Sequence, residues 1–306
     1  NDSINRKLWK ESLSEEIRLE LKRDKEYFLG QSLSSPCLSV LSDCYDSYLT
    51  DISGKRYLDF HGNSVHQIGF RNKAVLDAVT KQMNILPFCT RRYTNSKIVD
   101  LAEKLISLTS GNLDKVLFAP AATLAVSSAM KLVRGVTGKH KFISCWGSFH
   151  GASLDAVSLG GETTFRKNAG PLIPGVEHIF PVDSYRCKFG ECSSCNLECL
   201  DDLERVLEFE GDIGGVILEP ISNTDVHIPT DRYFTKLRDL CDKYSAMLIF
   251  DETPTALGRT GKMFAYQNYN IVPDIVILGK GLGGGIIPFA AMLTKKEFDI
   301  VQNMSI

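Results

Sequence analysis

Lys280 and Asp251 are the residues whose types and flanks most directly imply chemistry. Lys280 stands between Ile275-Val-Ile-Leu-Gly279 and Gly281-Leu-Gly-Gly-Gly285, and Asp251 closes Met247-Leu-Ile-Phe250. Each polar residue ends an apolar run too short for a helix and of the length of a buried parallel strand. In an open α/β sheet, ligands bind at the carboxyl ends of such strands. A lysine buried there has its amine pKa lowered, as imine formation requires. A carboxylate beside it can keep a cationic ring nitrogen protonated, so the pair suggests a carbonyl cofactor held as a Schiff base. Simpler readings exist for each residue alone. A lysine among glycines can be a solvated turn, and an aspartate can cap the next helix. A nucleotide-phosphate loop is excluded, because Gly281 rather than Ser or Thr follows Lys280.

Two further segments suit a flat ring bearing a phosphate. Phe118-Ala-Pro-Ala-Ala-Thr-Leu-Ala125 runs from a strand through a turn of small residues into a helix. Free main-chain N–H groups of such a turn bind phosphate, and the Thr123 hydroxyl can add a contact. Trp146-Gly-Ser-Phe-His-Gly151 also follows a strand and offers Phe149 to stack on a ring, although an aromatic there is more often plain core.

These residues need a scaffold that brings strand ends together. Hydrophobic periodicity predicts one helical arm over residues 4–28, then strand-like pieces around the Ser53-Gly54 turn. From Lys73 the pattern alternates. Helices are expected at 73–82, 98–108, 125–136 and 230–244, with strands at 115–118, 141–145, 215–218, 247–250 and 275–278. Such alternation implies an α/β fold with a mostly parallel sheet flanked by helices. Residues 1–70 read as an N-terminal arm and part of a small domain, and residues 71–306 as the large domain. A helix starting at Phe298 and stopping at Ile306 suggests that a C-terminal small domain is absent.

The motifs resemble those of the class III aminotransferases, pyridoxal-phosphate enzymes of fold type I. The family's Ser-Gly-Ser/Thr-Glu-Ala turn is matched by Ala121-Ala-Thr-Leu-Ala125, its Tyr/Phe-His-Gly by Phe149-His-Gly151 and its Glu-Pro by Glu219-Pro220. Its Asp-Glu-Val-Gln-Thr-Gly-x-Gly-Arg-Thr-Gly is matched by Asp251-Glu-Thr-Pro-Thr-Ala-Leu-Gly-Arg-Thr-Gly261, and its Ser-Lys-x-Leu-Gly-Gly-Gly by Gly279-Lys-Gly-Leu-Gly-Gly-Gly285. The resemblance implies pyridoxal 5'-phosphate as cofactor and Lys280 as its imine-forming residue, with Asp251 at the pyridine nitrogen. It places Ala122, Thr123, Phe149, Glu219 and Thr253 around the ring and phosphate. It also implies a homodimer with a shared active site.

The departures bear on the reaction. Ala122 replaces the glycine of the phosphate turn, Thr253 the usual valine, and Pro254 the glutamine that reaches the phenolic oxygen. The segments 60–70, 88–95 and 187–199, with Glu219-Pro-Ile-Ser-Asn-Thr224, resemble a branch of ammonia-lyases acting on hydroxylated aminoethylphosphonate. Arg91 and Arg92 suit a phosphonate or carboxylate tail through bidentate contacts, or are a solvated basic pair. His61 is a further candidate at the substrate. The expected substrate is a small primary amine. Elimination of a β-hydroxyl and transamination with a keto acid both remain open.

Bulk properties narrow the class. With 35 basic and 37 acidic residues there is no charge excess to attract nucleic acid or an anionic membrane. No apolar run reaches the roughly 18 residues needed to span a bilayer, so a cytoplasmic enzyme is expected. Cys187, Cys192, Cys195 and Cys199 form a Cys-x4-Cys-x2-Cys-x3-Cys run that could hold a metal, or be a cysteine-rich loop without one. A catalytically silent relative or a metal-binding interaction protein are the readings from other classes.

Overall fold

Ser3 and Ser14 each accept a main-chain hydrogen bond from the residue three positions on, and each starts its own helix. The expected single arm is therefore two helices, α1 (Ile4–Glu11) and α2 (Glu15–Tyr27). A new cap at Ser14 ends the continuity that periodicity alone suggested. The computed structural model describes residues 3–30, 37–111, 113–187, 189–191, 194–301 and 304. The chain divides into two units, Asn1–Gln82 and Met83–Ile306.

In the first unit, β1 (Leu41–Tyr45), β2 (Tyr48–Asp51) and β3 (Arg56–Leu58) form an antiparallel sheet. Asp51 closes the predicted turn by accepting from Ser53 and Lys55 N–H groups, at 3.0 Å each, and from the Tyr57 hydroxyl at 2.8 Å. Helix α3 (Lys73–Ile85) follows.

The second unit contains α4 (Ser96–Leu108), β4 (Lys115–Ala119), α5 (Ala122–Thr137), β5 (Lys141–Cys145), α6 (Leu154–Leu159) and α7 (Thr163–Arg166). It continues with β6 (Val176–Ile179), α8 (Asp201–Glu210), β7 (Ile213–Leu218), α9 (Asp231–Lys243), β8 (Met247–Asp251), β9 (Ile275–Leu278) and β10 (Ala290–Thr294). Seven strands pair in the order β4-β10-β9-β8-β7-β5-β6, with only β10 antiparallel to its neighbours. The mostly parallel sheet expected from the alternation is thus present. Strands β6 and β10 and helix α8 are additions to the sequence reading. Of the helix expected from Phe298 to Ile306, Phe298 ends a short 3-10 turn, Lys296–Phe298, and residues 302, 303, 305 and 306 lie outside the described residues.

Strand alternation divides the core. Ile249, Ile275 and Ile277 pack with Val126, Ala129 and Val133 of α5 on one face. Leu248, Phe250, Val276 and Leu278 pack with Phe234, Leu237 and Leu240 of α9 on the other. Because both faces are covered, the central strands are apolar at every position, which is why they read as uninterrupted runs. Each fully buried aliphatic side chain contributes about 1.5–3 kcal/mol. The first polar residue along such a strand therefore marks its carboxyl end.

Candidate active site

Five of those carboxyl ends deliver the predicted residues. Asp251 is the last residue of β8, Glu219 directly follows β7, and Lys280 lies two residues beyond β9. Phe149 and His150 follow β5, and Ala122 and Thr123 open α5 just after β4. The register that pairs Leu218 with Phe250 sets Glu219 and Asp251 at neighbouring strand ends.

Asp251 is buried and held from two sides. Its Oδ1 accepts from Thr253 N–H at 3.1 Å, and its Oδ2 lies 2.9 Å from Nδ1 of buried His150. A carboxylate can only accept, so Nδ1 carries the hydrogen. His150 Nε2 faces the Ser144 hydroxyl at 3.4 Å, which in turn lies 3.1 Å from that of Ser148. His150 was quoted in the Phe-His-Gly motif but not expected as a site residue. Its partner is 101 positions away, and no local pattern encodes that separation.

Lys280 is half-buried, and burial lowers its amine pKa, against the opposing attraction of Asp251 and Glu219. Its φ of +46° is left-handed, a conformation that costs a non-glycine residue about 1 kcal/mol or more. The backbone therefore accepts strain where the amine is presented. Glu219 is buried, its Oε2 has no partner among the described residues, and burial pushes its pKa up to about 7.

Helix α5 begins without a side-chain cap, since Ala121 occupies the N-cap position. Its first main-chain N–H groups thus face outward with the positive end of the helix dipole. The Thr123 hydroxyl, expected at a phosphate, accepts from Ser153 N–H at 3.1 Å and lies 2.5 Å from Ser153 Oγ. Gly279 permits the close approach of three predicted segments. A β-carbon there would lie 2.9 Å from Ala122 Cβ and 3.1 Å from Thr253 Cγ2. Thr253 Oγ1 is buried without a partner among the described residues. Phe149 meets Phe165, with ring centroids 4.2 Å apart.

A lysine amine, a buried carboxylate and an uncapped sixteen-residue helix converge here, with orphaned polar atoms on Thr253 and Glu219. That donor set fits a phosphorylated ring aldehyde: an amine suited to the carbonyl, a carboxylate suited to a ring nitrogen and a helix N-terminus suited to the phosphate.

The remaining expected residues lie on other elements. Arg91 and Arg92 are exposed on a turn ahead of α4. His61 belongs to the first unit, where its Nδ1 accepts from Asn63 N–H at 3.0 Å. Cys187, Cys195 and Cys199 form no disulfide among the described residues, and Cys192 lies outside them. Among the described residues no group of three or more His, Cys, Asp or Glu side chains is arranged to hold a metal, and no helix is long and apolar enough to cross a membrane.

Comparison with known proteins agrees with this geometry. The model of the aminotransferase class-III family matches residues 32–304. An (R)-1-hydroxy-2-aminoethylphosphonate ammonia-lyase of Vibrio splendidus (strain 12B01) is 44% identical, over 100% of this chain and 67% of its own. A Bacillus anthracis aminotransferase superposes with a TM-score of 0.86 at 25% identity, covering 96% of this chain and 68% of that one. The taurine:2-oxoglutarate aminotransferase of Bifidobacterium kashiwanohense, solved with PLP and glutamate, gives 0.86 at 26% identity, covering 94% and 66%. The chain thus spans about two thirds of the length of these relatives.

Proposed function

Because the chain belongs to the class III aminotransferase family, pyridoxal 5'-phosphate enzymes of fold type I, we propose that it is an ammonia-lyase acting on a hydroxylated aminoalkylphosphonate. The observation that carries this reading is the 44% identity, over the whole chain, to an enzyme of that name. When bound, the cofactor supplies an electron-withdrawing ring that stabilises negative charge on the carbon bearing nitrogen.

The chain's own residues have definable tasks. With the cofactor bound, the Lys280 amine would hold it, and that same amine would be the base for the proton on the carbon bearing nitrogen. Burial lowers the amine's pKa, so more of it is available as a base near neutrality. Asp251 would keep a proton on the ring nitrogen, and His150 Nδ1–H orients the carboxylate. The N-terminal N–H groups of α5, beginning at Ala122 and Thr123, would bind the phosphate, and Phe149 and Thr253 would pack against the ring. Glu219 lies beside Asp251 at the same sheet edge. Arg91, Arg92 and His61 are the candidates for the substrate's anionic tail.

Transamination is the second reading, favoured by the ω-transaminase of Thermomicrobium roseum, which matches with a TM-score of 0.86 at 28% identity. Incubation with a hydroxylated aminoalkylphosphonate separates the two. Ammonia released without a keto acid supports the lyase, and a strict keto-acid requirement overturns it. A cytoplasmic homodimer with shared sites completes the reading, supported by the family resemblance and checked by light scattering.

A further inference from the structure

Glu219 is the buried acid at this sheet edge that the mechanism above leaves without a step. The Asn223 main-chain N–H hydrogen-bonds to its carboxyl group, while Oε2 is buried and meets no protein donor or acceptor among the described residues. Lys280, His150 and Asp251 all act on it electrostatically, and it in turn acts on the partly buried Cys145 thiol. It also lines a cavity with Ser222, His227 and Tyr233, and the His227 side chain, 20% exposed, reaches toward solvent. A carboxyl with one oxygen anchored and the other unpaired is built to carry its hydrogen on the free oxygen. Its pKa, pushed up to about 7 by burial, keeps that hydrogen in place near neutrality.

We propose that Glu219 is the general acid that protonates the departing hydroxyl of the substrate, and that the cavity past Ser222 and His227 returns its proton from solvent. The assignment rests on the lyase reading. Hydroxide is a poor leaving group, and a positioned acid removes that barrier. Lys280 Nζ takes the proton from the carbon bearing nitrogen, and the C–H electron pair becomes a C=C bond. The C–O bond on the adjacent carbon breaks with its pair on oxygen, Glu219 Oε2 supplies the proton, and water leaves. Lys280 has gained one proton and Glu219 has lost one, which exchange with solvent restores. Hydrolysis then takes a water back and yields ammonia and an aldehyde. No oxidant or reductant is consumed.

The test compares wild type with Glu219→Gln on two substrates, a hydroxylated aminoalkylphosphonate and its analogue with a halide in place of the hydroxyl. Glu219→Gln is expected to slow elimination of the hydroxyl by about 10²-fold or more. Halide elimination and solvent-deuterium exchange at the carbon bearing nitrogen of the non-hydroxylated amine, read on the same cofactor-loaded variant, share whatever smaller loss the change causes in the site, so the hydroxyl-to-halide rate ratio carries the effect. Independently of turnover, the infrared absorbance of un-ionised carboxyl at pH 6 is expected to be larger in the resting protein than in the variant, with Glu252 contributing equally to both. Wild type alone supplies a second measure, since hydroxyl elimination falls as pH rises through about 7 while halide elimination does not. Equal loss on both substrates, full retention on the hydroxyl substrate, or absence of an infrared difference between wild type and variant overturns the assignment. If wild type releases no ammonia from the hydroxyl substrate, the lyase reading itself fails and the assignment falls with it. If wild type releases ammonia and the variant matches it, only Glu219's role fails.

Discussion

His150 Nδ1 lies 2.9 Å from Asp251 Oδ2, with the imidazole fully enclosed and the carboxylate 3% exposed. A carboxylate out of water depends on such donors, because it has lost the hydration that would otherwise stabilise it. His150→Ala removes one donor and leaves the carboxylate held only by Thr253 N–H. The expected cost is about 3 kcal/mol in denaturant unfolding. Pyridoxal 5'-phosphate affinity, followed by spectral titration, is expected to drop roughly tenfold, the equivalent of one hydrogen bond to a charged group. Unchanged stability and affinity would show that the pair does not organise the site.

Lys280 combines a chemical requirement with a backbone conformation that opposes it. At φ +46° its β-carbon is strained, and alanine inherits the same strain while glycine does not. Both Lys280→Ala and Lys280→Gly lose the visible absorbance of a lysine-bound cofactor. In chemical denaturation the glycine variant is expected to be the more stable by about 1 kcal/mol. The reverse order would place the strain elsewhere.

Gly279 tests packing without conformational strain, since its φ of −166° is open to any residue. Gly279→Ala drives a methyl group against Ala122 Cβ and Thr253 Cγ2. Overpacking of this kind costs about 1–3 kcal/mol and pushes the α5 N-terminus away from the lysine loop. Weaker binding of pyridoxal 5'-phosphate in fluorescence titration is the expected result, and wild-type binding would refute it.

Glu219 also makes a prediction for stability against pH. Its folded pKa of about 7 lies above the ordinary value of 4.5, so the folded state holds the proton over a range where the unfolded state has released it. The associated stability is present below pH 4.5 and is lost as pH rises to about 7, a change of about 3 kcal/mol. Glu252, also raised to about 7 by burial, contributes in the same direction. Glu219→Gln should therefore reduce, without abolishing, the decline in stability measured by denaturation from pH 4.5 to 8. An unaltered decline would show that Glu219 is ionised in the folded protein.

Much of the scaffold was legible because the central strands are covered on both faces. Runs such as Met247–Phe250 and Ile275–Leu278 had to be uniformly apolar, and their first polar neighbours, Asp251 and Lys280, had to lie at the sheet edge. Other elements carried weaker marks. The split between α1 and α2 turned on the Ser14 cap, and β10, Ala-Ala-Met-Leu-Thr, offered little β-branched signal to separate it from helix.

Local sequence therefore determined the chemistry on offer: an amine and a carboxylate at strand ends, a turn of small residues before a helix, and an aromatic nearby. Those features depend on spacing and burial within one element. Tertiary structure alone decided the partnerships. It set His150 against Asp251 across 101 residues, seated Gly279 on Ala122 and Thr253, and left one oxygen of Glu219 buried and unpaired. Each depends on sheet order β9-β8-β7-β5 and on helix α5 crossing it. Order and register arise from the packing of distant segments, which no single stretch of sequence contains.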